Sequence, residues 1–276
     1  MTATDWLTSL VRLGGDDAPG ALWGASLAVG VAYAVRSARR AELDPRAAYW
    51  AAMLAVGCGL IGSRLLGMIV NGPGDERTWR SLIDGGRSYY GGLVAGGLAA
   101  LVYLRVRGLP VLRHADAMAP ATALGYCIGR IGCWFNGDDY GVVAQGFPLA
   151  VRYPPGTEAY AAHLERGLIA PGDALSLPVV PAQLGHAALG LALFLVLVLR
   201  RPRAGVGSRV GGFALFYGVG RFALELVRGD FAAALGPLDV QQVISVGLVV
   251  GGAALVLRAR SGNAAGPVTG AVLETA

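Results

Sequence analysis

Charged side chains set inside apolar sequence are the first chemistry this chain offers. Arg64, Arg130, Arg221 and Glu225 each interrupt a stretch apolar enough to lie in lipid, where a charge is costly and marks a functional hypothesis. Tyr217, Arg221 and Glu225 fall at i, i+4 and i+8, with Arg228 following, so on a helix they form one polar stripe. An Arg221–Glu225 ion pair that holds helices together is the plainest use of that stripe. Several arginines against one buried acid, however, leave positive charge over. An anionic ligand would supply the missing charge, and guanidinium forks fit phosphate well.

Further polar groups gather near the ends of other apolar stretches. Gly129-Arg130-Ile131-Gly132-Cys133-Trp134-Phe135-Asn136-Gly137-Asp138-Asp139-Tyr140-Gly141 crowds Arg130, Asn136, Asp138 and Asp139 among glycines that permit turns and close approach. Ser88-Tyr89-Tyr90-Gly91-Gly92-Leu93 reads as interfacial aromatics followed by a small-residue packing face. Gln183 and His186 open one apolar stretch, and Gln241 and Gln242 open another. Each has an ordinary structural reading; together they suggest one polar site.

The elements that must position these groups follow from composition. Of 276 residues, 54% are hydrophobic and only 15% charged, with 43 glycines and no collagen-like period. That excludes a disordered chain and argues for an integral membrane protein whose glycines let helices approach. All 23 basic residues are arginine. The net charge of +5 fits membrane topology better than nucleic acid, because aromatics are not interleaved with the basic runs. Cys58, Cys127 and Cys133 are too few and too scattered for a disulfide framework or a metal signature. No metal or nucleotide motif is present, and no cofactor is expected.

A bilayer core requires about 20 apolar residues per helix. Seven stretches approach that standard, roughly 19–36, 47–70, 90–107, 117–133, 181–200, 211–228 and 240–258. The expected fold is all-α, a polytopic membrane protein of about seven transmembrane helices with a small external head. Arginines cluster after the first, third, fifth and seventh stretches, at Arg36, Arg39, Arg40 and Arg46, then Arg105, Arg107 and Arg113, then Arg200, Arg201, Arg203 and Arg209, and finally Arg258 and Arg260. Placing these inside puts the N-terminus outside and the C-terminus inside. The loop from Asn71 to Tyr89, with Arg77, Arg80 and Arg87, runs against that pattern.

The resulting organisation is an external N-terminal segment (1–18), transmembrane helices 1–4 (19–133), an external head or lid (134–180), transmembrane helices 5–7 (181–258) and a cytoplasmic tail (259–276). Within the head, Tyr153-Pro154-Pro155-Gly156 reads as a turn and Glu158 to Leu168 as a short amphipathic piece. The N-terminus, with Asp5, Asp16 and Asp17 and no long apolar run, does not read as a cleavable signal peptide. In this topology Arg64, Arg130, Arg221 and Glu225 share the outer leaflet with Tyr90, Gln183, His186, Gln241 and Gln242.

These residues, from about Ser88 to Gly252, resemble the prolipoprotein diacylglyceryl transferase family. Gly129, Arg130, Gly132, Asn136 and Gly141 match the signature G-R-x-G-N-F-x-N-x-E-x-x-G, and Tyr217, Arg221, Phe222, Glu225 and Arg228 match Y-x-x-x-R-F-x-x-E-x-x-R in full. Gly91-Gly92-Leu93 is similar to H-G-G-L, and Pro181-Ala182-Gln183-Leu184 to part of H-P-x-Q-L-Y-E. The departures are chemical. Tyr90 stands for the His of H-G-G-L, Cys133 for the signature Asn and Asp138 for its Glu; Val180, Gly185 and His186 stand for the His, Tyr and Glu of the last motif. A phenol, with a reference pKa of about 10, is a poor general base beside imidazole at about 6.5.

The resemblance implies transfer of a diacylglyceryl group from phosphatidylglycerol to the lipobox cysteine thiol of a prolipoprotein, in the bacterial inner membrane. The expected partners are phosphatidylglycerol, the prolipoprotein signal peptide and membrane lipids, with no nucleic acid. Arg130 and Arg221 would take the phosphate, with Glu225 orienting Arg221 and Tyr217 adding a hydrogen bond. Asn136 and Asp138 would shape peptide entry. Gly91, Gly92, Gln183, Arg228, Arg64 and Gln242 complete the binding set. His186 as a displaced base, or a thiol pKa lowered by the arginine field, would compensate for Tyr90. A non-catalytic phospholipid- or lipoprotein-binding homologue is the alternative, as is a transferase with another acceptor.

Overall fold

The computed structural model describes residues 3–15, 17–70, 89–199, 205–229 and 240–264. Its regular elements there are nine helices: α1 Ala3–Gly14, α2 Ala18–Arg40, α3 Pro45–Val70, α4 Tyr89–Val106, α5 Val111–Asn136, α6 Glu158–Glu165, α7 Ala182–Leu199, α8 Ser208–Glu225 and α9 Val240–Ala264. An apolar run in lipid must satisfy its own backbone, and a helix does so. Each of the seven apolar stretches accordingly carries a long helix. Several helices run past the apolar core, α2 to Arg40 and α5 back to Val111, because polar turns at the ends extend the same hydrogen-bond ladder.

Four helices, α2, α3, α7 and α9, are long and apolar enough to cross a membrane, and α4 is a shorter apolar helix. Helices α5 and α8 are not among them. They carry Arg113, Asp116 and Arg130, and Arg209, Arg221 and Glu225. Of these, Arg130, Arg221 and Glu225 are buried against neighbouring helices.

The pairs α2–α5, α3–α4, α5–α7, α7–α8 and α8–α9 pack antiparallel, which leaves α5 and α8 parallel. Close approaches pair Trp23 of α2 with Gly132 of α5, Gly185 and Gly220 on α7 and α8 with Leu224 and Leu189 of the other, and Gly218 of α8 with Ser245 of α9. The α3–α4 pair packs backbone against backbone. A Cβ on Gly91 would strike the carbonyl of Gly62 and one on Gly96 would sit 2.5 Å from that of Ala55, so both positions admit only hydrogen. The N-terminus of α8 is capped by another helix, since Asp116 of α5 accepts from the backbone N–H of Gly207 (2.6 Å) and Val210 (2.8 Å). Helix termini leave four such donors unsatisfied.

Helix α5 ends on Gly137 in the left-handed region (φ 73), the usual device for a helix stop. The chain then crosses itself as an irregular cap. Gly141 bridges Arg228, and Val143 and Val151 both bridge Val179, so main-chain bonds join the stretch after α5 to those before α7 and after α8. A Cβ on Gly141 would meet the Val180 carbonyl at 2.7 Å and the Val227 carbonyl at 2.8 Å. The amphipathic piece expected in this segment is α6. Hydropathy does not pick out α1, whose Leu7 and Val11 join Trp134, Tyr140, Val151, Tyr153 and Val179 in one small core. Thr8 Oγ1 accepts from the Arg152 N–H at 3.1 Å. The Asn71–Ser88 part of the expected loop, Arg200, Arg201, Arg203, Asp16 and the tail beyond residue 264 lie outside the described residues.

Candidate active site

Antiparallel packing brings the C-terminal end of α5, the N-terminal end of α7 and the C-terminal end of α8 to one end of the bundle. There Arg130, His186, Arg221, Glu225 and Arg228 are all buried. Arg221 Nη1 forms an ion pair with Glu225 Oε2 at 3.0 Å and donates to His186 Nε2 at 2.9 Å. The other ring nitrogen, Nδ1, lies 3.0 Å from the Tyr126 hydroxyl. A guanidinium can only donate; Nε2 therefore accepts, and Nδ1 carries the proton toward the Tyr126 oxygen.

Asp139 closes the group from the cap. Its Oδ2 accepts from Arg130 Nη1, and its Oδ1 pairs with Arg228 Nη2 at 2.5 Å. Arg228 Nε also lies 3.5 Å from Glu225 Oε1. Arg130 sits over the Tyr126 ring, 5.1 Å from its centroid, a cation–π contact. Tyr217 meets Tyr126 edge-on and stacks on Phe213. Three guanidiniums and two carboxylates thus form one contiguous cage on Tyr126 and Tyr217.

Gln183, fully buried, donates to the Asp138 carbonyl at 2.6 Å and to the Tyr153 hydroxyl at 3.2 Å, tying α7 to the cap. Asn136 donates to Glu158 Oε1 at 3.3 Å; its amide braces α6. Burial, with Asp139 and Glu158 nearby, pushes the Asp138 carboxyl up to about 7. Burial would also raise Asp139, but Arg130, Arg228 and Arg221 overcome it and hold that carboxyl well below the usual range.

A second set belongs to α3, α4 and α9. The Tyr90 hydroxyl donates to the Gln241 carbonyl at 3.1 Å. Gln242 is buried beside it on α9. Because Gly218 abuts Ser245 in antiparallel register, this end of α9 lies level with Arg221. Gly91 and Gly92 pack on Gly62 and Gly59 of α3, and half-buried Arg64 follows Gly62 by two residues.

Cys133, Asp138 and Asp139 offer ligand atoms within 4.8 Å of one another. Both Asp139 oxygens are already held by guanidiniums, so a cation would enter against two positive charges. The arrangement suits an anion. Two members of the cage, Tyr126 and Asp139, had no role assigned from sequence. Tyr126 lies one helical turn before Arg130, and that i, i+4 spacing was a usable signal. Asp139 sat in view beside Asp138, but only the turn after Gly137 reveals which of the two faces the arginines.

Fold and site define a helical membrane protein that gathers cations against a buried aromatic floor. The model of the prolipoprotein diacylglyceryl transferase family matches residues 20–258. Proteins named phosphatidylglycerol–prolipoprotein diacylglyceryl transferase are similar along most of their length. That of Corynebacterium glutamicum is 32% identical over 232 residues, 77% of this chain and 69% of its own. That of Pseudomonas fluorescens is 32% identical over 259 residues, 87% and 88% respectively, and that of Clostridioides difficile 27% identical over 237 residues, 84% and 86%. The chain belongs to the prolipoprotein diacylglyceryl transferase family.

Proposed function

We propose that this protein transfers the diacylglyceryl group of phosphatidylglycerol to the lipobox cysteine of a prolipoprotein in the bacterial inner membrane. The observation that carries the reading is the cage of Arg130, Arg221 and Arg228 against Asp139 and Glu225, which buries three guanidiniums in one place, where their forks can grip the phosphodiester of a lipid headgroup. The cysteine sulfur attacks the glyceryl carbon, a C–S bond forms, the C–O bond to phosphate breaks, and glycerol phosphate leaves. Negative charge grows on the leaving phosphate, and preorganised guanidiniums stabilise it more in the transition state than in the ground state.

Arg130 and Arg221 bind that phosphate in this reading. Glu225 and His186 orient Arg221, Tyr217 supports the floor, and Asn136 and Asp138 shape the peptide entrance. His186 is a positioning residue rather than a base, because its Nε2 lone pair is engaged by Arg221. The arginine field favours the thiolate instead. The seven long helices are read as seven spans, with the N-terminus and the 134–180 head outside and the C-terminus inside; this puts Arg36, Arg39 and Arg40 at the cytoplasmic end of α2.

Purified protein, labelled phosphatidylglycerol and a lipobox peptide test the reading directly. A lipidated peptide is expected from the wild type and none above background from Arg221→Ala. Tyr90, whose hydroxyl is bonded to Gln241 where the family signature has His, favours one second reading, a homologue that binds lipid without turnover. Lipid binding with no lipidated peptide would establish it.

A further inference from the structure

Asp139 occupies an unusual place in the cage. Its backbone is in the left-handed region at φ 55, which residues other than glycine seldom adopt. From that turn its carboxylate reaches Arg130 of α5 with one oxygen and Arg228, beyond α8, with the other. Two oxygens of one anion thereby bridge two guanidiniums, as the two non-bridging oxygens of a phosphodiester would. The Arg130 and Arg228 side chains are 5% and 2% exposed, whereas that of Asp139 is 26% exposed. The cations are fixed inside and the anion stands on the open side.

We propose that Asp139 is a built-in counter-anion that fills the headgroup subsite between Arg130 and Arg228, yields it to the lipid phosphate, and reclaims it as product leaves. The inference rests on the diacylglyceryl-transfer reading. In that reaction the C–S bond forms as the C–O bond breaks, the bonding pair stays on the phosphate oxygen, and the thiol proton passes to solvent. The phosphodiester monoanion becomes a phosphomonoester with one more negative charge, so the cage grips product harder than substrate. A tethered carboxylate that competes for the same guanidiniums offsets that grip and speeds release.

The test uses the full chain in detergent, as wild type, D139N, D139G and D139E. Asn and Gly both tolerate a left-handed backbone, so either keeps the turn while removing the charge. Calorimetry with glycerol phosphate alone and its inhibition of lipidation are the two readouts. D139N and D139G are expected to bind glycerol phosphate about tenfold tighter, the scale of one charge-assisted contact released, and to be inhibited at correspondingly lower concentration, with D139E near wild type. A purely structural Asp139 predicts the opposite direction. Unchanged or weaker binding in the folded neutral variants, or no measurable binding in any form, overturns the proposal. A wild type that makes no lipidated peptide refutes the transfer reading, while the calorimetric comparison still decides whether Asp139 competes for the subsite.

Discussion

The Arg221 guanidinium and the His186 ring share one hydrogen bond, Nη1 to Nε2 at 2.9 Å, between two fully buried side chains on different helices. Because arginine only donates, the bond fixes the imidazole as the Nδ1–H tautomer, which in turn faces the Tyr126 hydroxyl. His186→Ala removes the acceptor of the Arg221 Nη1 hydrogen bond, leaves the ion pair to Glu225, and should lower kcat/KM by about 10- to 100-fold, the usual cost of losing an orienting partner. His186→Glu, the residue of the family signature, should recover most of it. Full activity in the alanine variant would show that Glu225 alone suffices.

Tyr90→His places an imidazole where the family signature has one, and should raise the turnover of lipobox peptide. The substitution also removes the hydroxyl that donates to Gln241, so Tyr90→Phe is its control. The phenylalanine variant should lose about 1 kcal/mol of stability without gaining turnover. A histidine variant no faster than wild type would mean that the site needs no base at this position.

Asp138 gives stability a defined pH dependence. Its carboxyl is raised from 3.8 to about 7, chiefly by burial and then by Asp139 and Glu158. A carboxyl raised by folding keeps its proton longer in the native state than in the unfolded one. Its contribution is therefore intact below pH 4 and is lost as pH climbs through 7. Asp138→Asn should flatten this slope between pH 4 and 7, as read from melting temperature in detergent. An unaltered slope would assign the dependence to another group.

Gly91→Ala and Gly96→Ala should each destabilise the α3–α4 pair. The added methyl meets a backbone carbonyl in both cases, which cannot move aside as a side-chain tip can. Overpacking of this kind costs about 1–3 kcal/mol. Gly97→Ala, whose Cβ meets nothing within 4 Å, is the neutral comparison.

Asp116→Ala should cost about 1–2 kcal/mol, the range for a lost helix cap, because it strips the acceptor from two N–H groups of the α8 N-terminus. Asp116→Asn retains one acceptor and should lie between. Since Asp116 is at the opposite end of α8 from Arg221, a fall in melting temperature with unchanged lipid affinity is the expected pattern.

How much of this was legible beforehand can be judged residue by residue. The long helices were, because an apolar run in lipid has few alternatives to a helix, and so was the stripe of Tyr217, Arg221 and Glu225, whose spacing obeys helical geometry. The head was not. Its bridges at Gly141, Val143 and Val179 are non-local backbone pairings in a segment without hydrophobic period. Asp139 escaped for the same reason, since a single left-handed residue decides where its carboxylate points. Helix α1 escaped because its apolar face is too short to resemble a span and packs against residues distant in sequence, among them Trp134, Val151 and Tyr153.

The backbone bridge between Gly141 and Arg228 has a bearing on selectivity. It fastens the two ribbons that carry Asp139 and Arg228 within a few residues of both side chains, so the carboxylate is on a short leash. A partner held this way behaves like a solute at millimolar or higher local concentration. An ion from the surrounding solution can diffuse away from the guanidiniums, whereas the tethered carboxylate cannot. The visitor best equipped to displace the resident is one that brings its own anchorage, and two acyl chains buried in lipid provide it.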